Sequence, residues 1–167
     1  MRNQLTQSDV RKIEEEIEHR KLVVRKEAIE AVKEARAQGD LSENFEYYAA
    51  KREKNKNESR IRYLEKVLRY ATVIEDDSEE DEIGLENTVT VRFEDDDVLE
   101  TYRIVTPIRC NSLQNKISIE SPIGKALLGH KEGDRVEIMM PNGGSYFLII
   151  EEVEKTEDDG TDKIRSY

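Results

Sequence analysis

Gln38-Gly39-Asp40-Leu41 is the short break between two long runs of helical periodicity, and its brevity decides the architecture of the first half of the chain. Upstream, Val10, Ile13, Ile17, Val24, Ala28, Ala31 and Ala35 recur at spacings of three, four or their sum, which is a narrow helical stripe. Downstream, Leu41, Tyr48, Ala49, Arg52, Ile61, Leu64, Leu68 and Ala71 carry a second polar-rich helical pattern, and no proline interrupts either run. Thr6 with Asp9, or Ser8, offers an N-cap for the first run. Helices of about thirty residues, roughly 45 Å long at 1.5 Å per residue, cannot bury so narrow a stripe alone. A junction of a few residues is too short for a parallel return, so residues 1–75 read as an antiparallel helical hairpin, a coiled-coil finger. Gly39 can take the left-handed conformation that ends the first helix, and Asp40 can cap the second.

Beyond the finger the character of the chain changes. Asp76 to Glu82, DDSEEDE, holds six acids and one serine, and residues 76–83 read as a solvated acidic linker. From there the period is two: Val89, Val91 and Phe93 alternate with polar residues, followed by Tyr102 and Ile104, Ile117 and Ile119, Val136 to Met140, and Phe147 to Ile150. Asp95-Asp96-Asp97 and Pro141-Asn142-Gly143-Gly144 supply turns, and Pro122 opens a short helix that ends at Gly129. Residues 84–155 therefore read as a small antiparallel sheet with one helix, and residues 156–167, without apolar period, as a loose tail. The fold class is α+β.

With 167 residues, 39% of them charged, the chain fits small domains and excludes a large enzyme core. The net charge of -11 hides a division: residues 1–74 hold 17 basic against 14 acidic residues, and the remainder 10 against 24. Independent DNA binding is not expected from such a balance. There is no long apolar run and no export signal, so the chain reads as cytoplasmic with no membrane association. Cys110 is a lone cysteine, and His19 and His130 are too distant from it to share a zinc site.

Gly39-Asp40-Leu41-Ser42-Glu43-Asn44 has two readings. As helix chemistry, Asp40 caps and Glu43 fills the third position of a capping box. As functional chemistry, two carboxylates at the end of a finger can be carried into another protein's active site, to share a divalent cation there. Two carboxylates are too few to bind Mg²⁺ tightly alone.

GDLSENFEYYAAK, then RIRYLEKVL, then KISIESPIGKALLGHKEGDRVEI resemble, in the same order, the Gre family of bacterial transcript-cleavage factors, of the GreA type, over about Leu5 to Val153. The resemblance implies an FKBP-like second domain and a finger that enters the secondary channel of RNA polymerase. It implies that Asp40 and Glu43, supported by Ser42 and Asn44, help hold a Mg²⁺ shared with the polymerase for cleavage of backtracked RNA. No cofactor is then bound by the chain alone. It further implies a basic patch of Arg36, Lys51 and Arg52 facing the RNA 3′ segment, and docking on the polymerase through Glu120, Ser121 and Pro122, by a monomer. The polymerase would remain the enzyme. Tyr47 and Tyr48 either stack on bases or, more commonly for such aromatics, face the partner helix.

The chain departs from that family pattern at Lys54-Asn55-Lys56-Asn57, which should weaken coiled-coil packing or widen the basic surface. It departs again at Thr106 to Ser112, which is less acidic than usual. The rival functions are a channel-blocking inhibitor without cleavage, a prolyl isomerase and a structural adaptor. Without tryptophan and with three phenylalanines, the aromatic pocket of an isomerase is hard to assemble.

Overall fold

The computed structural model describes residues 3–39 and 44–166. By contacts the chain divides into two units, Met1–Asn3 with Val10–Ala71, and Gln4–Asp9 with Thr72–Tyr167. Strands β1 (Asn3–Leu5) and β2 (Ala71–Val73) form a two-stranded sheet.

The first unit is a helical hairpin. Helix α1 (Gln7–His19) starts at a reciprocal cap in which Asp9 N–H donates to Thr6 Oγ1 (3.1 Å) and Thr6 N–H to Asp9 Oδ2 (2.9 Å). A single π-helical turn, Arg20–Val24, follows, and helix α2 (Arg25–Arg36) completes the arm. The periodicity predicts one unbroken helix here. The seven-residue step from Ile17 to Val24 fits an uninterrupted helix equally well, so the extra residue of the π turn leaves no trace in the spacing. Leu22 and Val23 are exposed within it.

Helix α3 (Phe45–Arg69) is the return arm, and it buries Asn57, Arg60, Ile61, Leu64 and Val67. This corrects the predicted stripe: Tyr48, Ala49 and Arg52 are exposed. Tyr48 and Ile61 stand roughly 140° apart around a helix of 3.6 residues per turn, so they cannot share a face. Where apolar residues are missing, the arms are joined by charge. Arg60 donates through Nε and Nη2 to Glu16 (2.8 and 3.3 Å), and Arg20 Nε meets the same carboxylate at 2.8 Å. Arg20 Nη1 reaches Asn57 Oδ1 (3.0 Å), and Asn57 Nδ2 donates to the Arg20 carbonyl in the π turn (3.2 Å). The polar Lys54–Asn57 stretch thus ends in a buried amide that is fastened to the opposite arm.

The second unit is built on a five-stranded sheet. Its strands are β3 (Thr88–Phe93), β4 (Leu99–Val105), β5 (Lys116–Ser118), β6 (Arg135–Met139) and β7 (Ser145–Glu154), in the order β5-β4-β3-β7-β6. Val89 and Val91 on β3, Ile104 on β4, Ile138 on β6, and Leu148 and Ile150 on β7 point into one core, capped by Leu127 of helix α4 (Pro122–Leu127). The sheet is mixed rather than wholly antiparallel. β5 runs parallel to β4, because two short 3₁₀ turns between Val105 and Lys116 bring the chain back to the same end.

Two sequence boundaries also shift. Ile83, the last residue of the acidic segment, is a core residue. The tail expected to be loose is held by polar contacts: Thr156 Oγ1 donates to the Glu86 carbonyl (2.7 Å), Arg165 N–H to the Ile108 carbonyl (2.9 Å), and Asp162 is 4% exposed. Apolar periodicity is blind to anchoring of that kind.

Two predictions follow from this packing. A Cβ on Gly124 would collide with the Ser118 backbone carbonyl, which is held by Ser121 Oγ (2.7 Å), so Gly124→Ala should lower stability by about 1–3 kcal/mol in thermal unfolding. The Glu16 carboxyl is pushed up by burial, but hydrogen bonds and attraction from Arg60 and Arg20 outweigh this and leave it below its ordinary value. Its contribution is complete above the unfolded-state pKa and disappears as pH falls through the lower folded one. Glu16→Gln should therefore cost about 1–3 kcal/mol at neutral pH, and urea unfolding should show that difference closing below a pH of about 4; an equal gap at pH 7 and pH 3 would contradict the assignment.

Candidate functional site

Asp40, Ser42 and Glu43 lie outside the described residues, and the structure describes what flanks them. On the α2 side, Ala37 N–H closes on the Lys33 carbonyl (3.1 Å), Gln38 N–H on the Ala35 carbonyl (3.3 Å), and Gly39 follows at a φ of 115°. That positive φ is glycine's territory, as the sequence predicts for the end of the first helix. On the other side the capping residue is Asn44 and the described helix begins at Phe45, while the start expected near Leu41 lies outside the described residues. Asn44 Oδ1 accepts from Tyr47 N–H (3.1 Å), while its Nδ2 donates to the Ala35 carbonyl across the hairpin (2.5 Å). One side chain caps α3 and closes the last turn of α2.

The basic residues expected beside the tip divide into two groups. Arg36 lies 5.6 Å from the centroid of the Tyr47 ring, and its hydrogen bond to the Tyr47 hydroxyl holds that phenol below its usual range, with Lys51 and Lys54 adding to the effect. Tyr47 thus faces the opposite arm. Tyr48 packs edge-on to it at 5.4 Å between centroids but is 46% exposed, and Phe45 is 86% exposed. Lys51 and Arg52 are exposed, and farther along α3 so are Arg62, Lys66 and Arg69. Their acidic neighbours Glu58 and Glu65 turn to the other arm, where they pair with Arg25 (2.8 Å) and Lys21 (2.7 Å).

In the second unit Glu120, Ser121 and Pro122 stand together where β5 leads into α4. Ser121 Oγ caps the helix by accepting from Gly124 N–H (3.0 Å), Pro122 occupies its first turn, and Glu120 and Pro122 are exposed. Glu120 N–H is held by Ser118 Oγ (3.0 Å).

The sequence reading missed one cluster entirely. Arg109, on a 3₁₀ turn, is fully buried among Asp9, Glu86 and Asp162, with Arg103 and Lys116 on the same acids. Burial opposes the charge on Arg109, but Glu86 and Asp9 more than compensate and raise it well above the usual guanidinium value. Asp162 is held far below the carboxylate range because donors from Lys116, Arg103 and Arg109 overcome its burial. Carboxylate oxygens of Glu86, Asp158 and Asp162 lie within 4.8 Å of one another, a spacing a metal could use; here three side-chain cations meet those acids instead. The only hint in the sequence is an arginine set in the apolar Pro107-Ile108 turn. Among the described residues no helix is long and apolar enough to cross a membrane.

A helical hairpin with exposed cations along α3 and a capping residue beside its tip, and a small sheet with one short helix, define a two-unit class of protein. Residues 3–73 match the family described as transcription elongation factor, N-terminal, and residues 78–155 the family described as transcription elongation factor, GreA/GreB, C-term. The chain is 44% identical over 149 residues to transcription elongation factor GreA of Macrococcus caseolyticus, covering 89% of this chain and 94% of that protein. It is 42% identical over 147 residues to that of Thermotoga neapolitana, covering 88% and 94%. The crystal structure of GreA factor homolog 1 (Gfh1) of Thermus thermophilus is also similar, at 29% identity and a TM-score of 0.43 over 92% of this chain and 99% of that one. The chain belongs to the GreA/GreB family of transcription elongation factors.

Asn44→Ala should cost about 1 kcal/mol or more by removing the cap, and more locally than globally. Amide exchange at Tyr47 should accelerate while that at Leu64 stays close to wild type; unchanged exchange at Tyr47 would contradict the bridging role.

Proposed function

We propose that this protein rescues backtracked RNA polymerase by stimulating the polymerase's own cleavage of the extruded RNA. In this reading the hairpin is a coiled-coil finger that enters the secondary channel, and the second unit is an FKBP-like domain that docks on the polymerase through Glu120, Ser121 and Pro122. Asp40 and Glu43 are delivered to the polymerase active site, with Ser42 and Asn44 supporting them. Arg36, Lys51 and Arg52 neutralise phosphates of the RNA 3′ segment. The protein acts as a cytoplasmic monomer, and the polymerase remains the enzyme.

The observation that carries this reading is the presence of Asp40 and Glu43 within a chain matched by the family along both of its parts. Their carboxylates are hard oxygen donors of the kind Mg²⁺ prefers, and two of them are too few to hold it tightly without ligands from the partner. When bound in the shared site, that ion supplies Lewis-acid stabilisation of charge and a more nucleophilic water. The work of this chain is positional: Asn44 and Gly39 hold the two ends of the acidic segment, and the cations on α3 favour a strand of phosphates over other polymers.

The direct test uses stalled, backtracked elongation complexes. Wild-type protein should shorten the RNA from its 3′ end. The Asp40→Asn, Glu43→Gln double variant should lose this by two orders of magnitude or so, the range for loss of positioned acid chemistry, while still competing with wild type for the polymerase. Equal cleavage by both would contradict the role of the acids, and inertness of both would leave channel blocking as the better account.

A further inference from the structure

Arg109 stands where three separated stretches of chain meet inside the second unit. Its Nε donates to Asp9 Oδ1 in the first turn of α1 (2.5 Å), its Nη1 to Glu86 Oε2 (2.8 Å) and to Asp162 Oδ2 (2.9 Å), and its Nη2 to Glu86 Oε1. The other oxygen of Asp9 is equally engaged, accepting from Thr106 Oγ1 (2.6 Å) and from the Thr6 N–H (2.9 Å) that belongs to the cap of α1. Asp162 is fixed from its far side by Arg103 Nη1 (2.8 Å) and Lys116 Nζ (2.7 Å). Asp158 and Asp162 lie beyond residues 78–155, the stretch that matches the family. The C-terminal half of the cluster thus lies outside the matched stretch.

A guanidinium is a rigid planar fork, so the partners of its two terminal nitrogens set the plane in which Nε points. With Glu86 and Asp162 both on Nη1, that plane is determined, and Nε is aimed at Asp9. Removing the Asp162 charge leaves Arg103, Arg109 and Lys116 competing for fewer acids in a buried place, where a change of partner costs the most. Asp9 is at once a ligand of Arg109 and half of the reciprocal cap, so its orientation governs the first turn of α1. That turn is continuous with the rest of the helix to His19.

We propose that Arg109 is a positioning residue through which the C-terminal tail clasps the first turn of α1, so that Asp162, remote in sequence from the acidic segment, sets how effectively the factor works. The consequence for activity rests on the cleavage function proposed above, whereas the clasp itself does not.

The test uses the full chain carrying Asp162→Asn, which keeps the shape and removes the charge. Amide exchange at Thr6 and Asp9 should rise about tenfold or more, while Val91 and Leu148 in the sheet core stay close to wild type. With backtracked complexes, the cleavage rate at saturating factor should fall roughly threefold or more with the half-saturating concentration unchanged, the signature of lost positioning rather than lost binding. Arg109→Lys, which keeps the charge and loses the fork, should behave in the same way. Unchanged exchange at Thr6 and Asp9 would overturn the clasp, as would acceleration shared by the core amides, or wild-type behaviour of Arg109→Lys. Faster exchange with a normal saturated rate would overturn the positioning role. Should wild type show no cleavage at all, the functional reading fails, and the exchange result, read without polymerase, still decides the clasp.

Discussion

The Glu16 carboxylate between Arg60 and Arg20 holds together a hairpin that has too few apolar residues to hold itself. Arg60 and Asn57 on α3 each meet Arg20 or its acid partner on the facing arm, and the contacts converge on the π turn where the first arm gains a residue. Buried charge of this kind adds little net stability against an apolar alternative, but a broken or misregistered pair is costly. The layer therefore acts mainly on register. A slip of one residue between the arms would strand Arg60, and the two ends of the acidic segment would no longer face each other. Asn44 repeats the device at the tip, using one amide to serve both helices.

The two units solve the problem of a highly charged chain in different ways. In the hairpin, acids turn inward to pair across the arms, through Glu58 with Arg25 and Glu65 with Lys21, which leaves cations on the outer face of α3. That distribution makes a locally basic rod within a chain whose net charge is -11. In the sheet unit an apolar core of valine, isoleucine and leucine carries the fold, and the buried ions gather in one place around Arg109. Under the proposed function, the charge asymmetry along the sequence becomes a division of roles: one half would present cations and two acids to a polyanionic partner, and the other half would anchor.

Features that depend on local chemistry were legible in the sequence. The Gly39 break, the Thr6–Asp9 cap, the period-two strands and the Pro122 helix all arise from propensities of neighbouring residues, and the structure has them. Features that depend on pairing at a distance were not. The phase of α3 is set by Asn57 and Arg60 rather than by Tyr48 and Arg52, because buried polar residues at those positions are satisfied only by the other arm. The parallel placement of β5, the anchoring of the tail and the burial of Arg109 likewise depend on partners tens of residues away, which no periodicity records. Of the candidate site, Asp40, Ser42 and Glu43 lie outside the described residues, and local sequence favours Asp40 as the cap of α3 where the structure has Asn44.

The central claim is that the segment between Gly39 and Asn44 reaches the reacting end of the RNA. Leu41 replaced by a photoreactive p-benzoylphenylalanine, in an otherwise unaltered chain, would report this when illuminated on backtracked complexes carrying 3′-labelled RNA. The account predicts crosslinks from position 41 to the RNA 3′ segment or to polymerase residues at its active site. Crosslinking only to the outer surface of the polymerase, with none to RNA or active site while the complex is demonstrably bound, would contradict it.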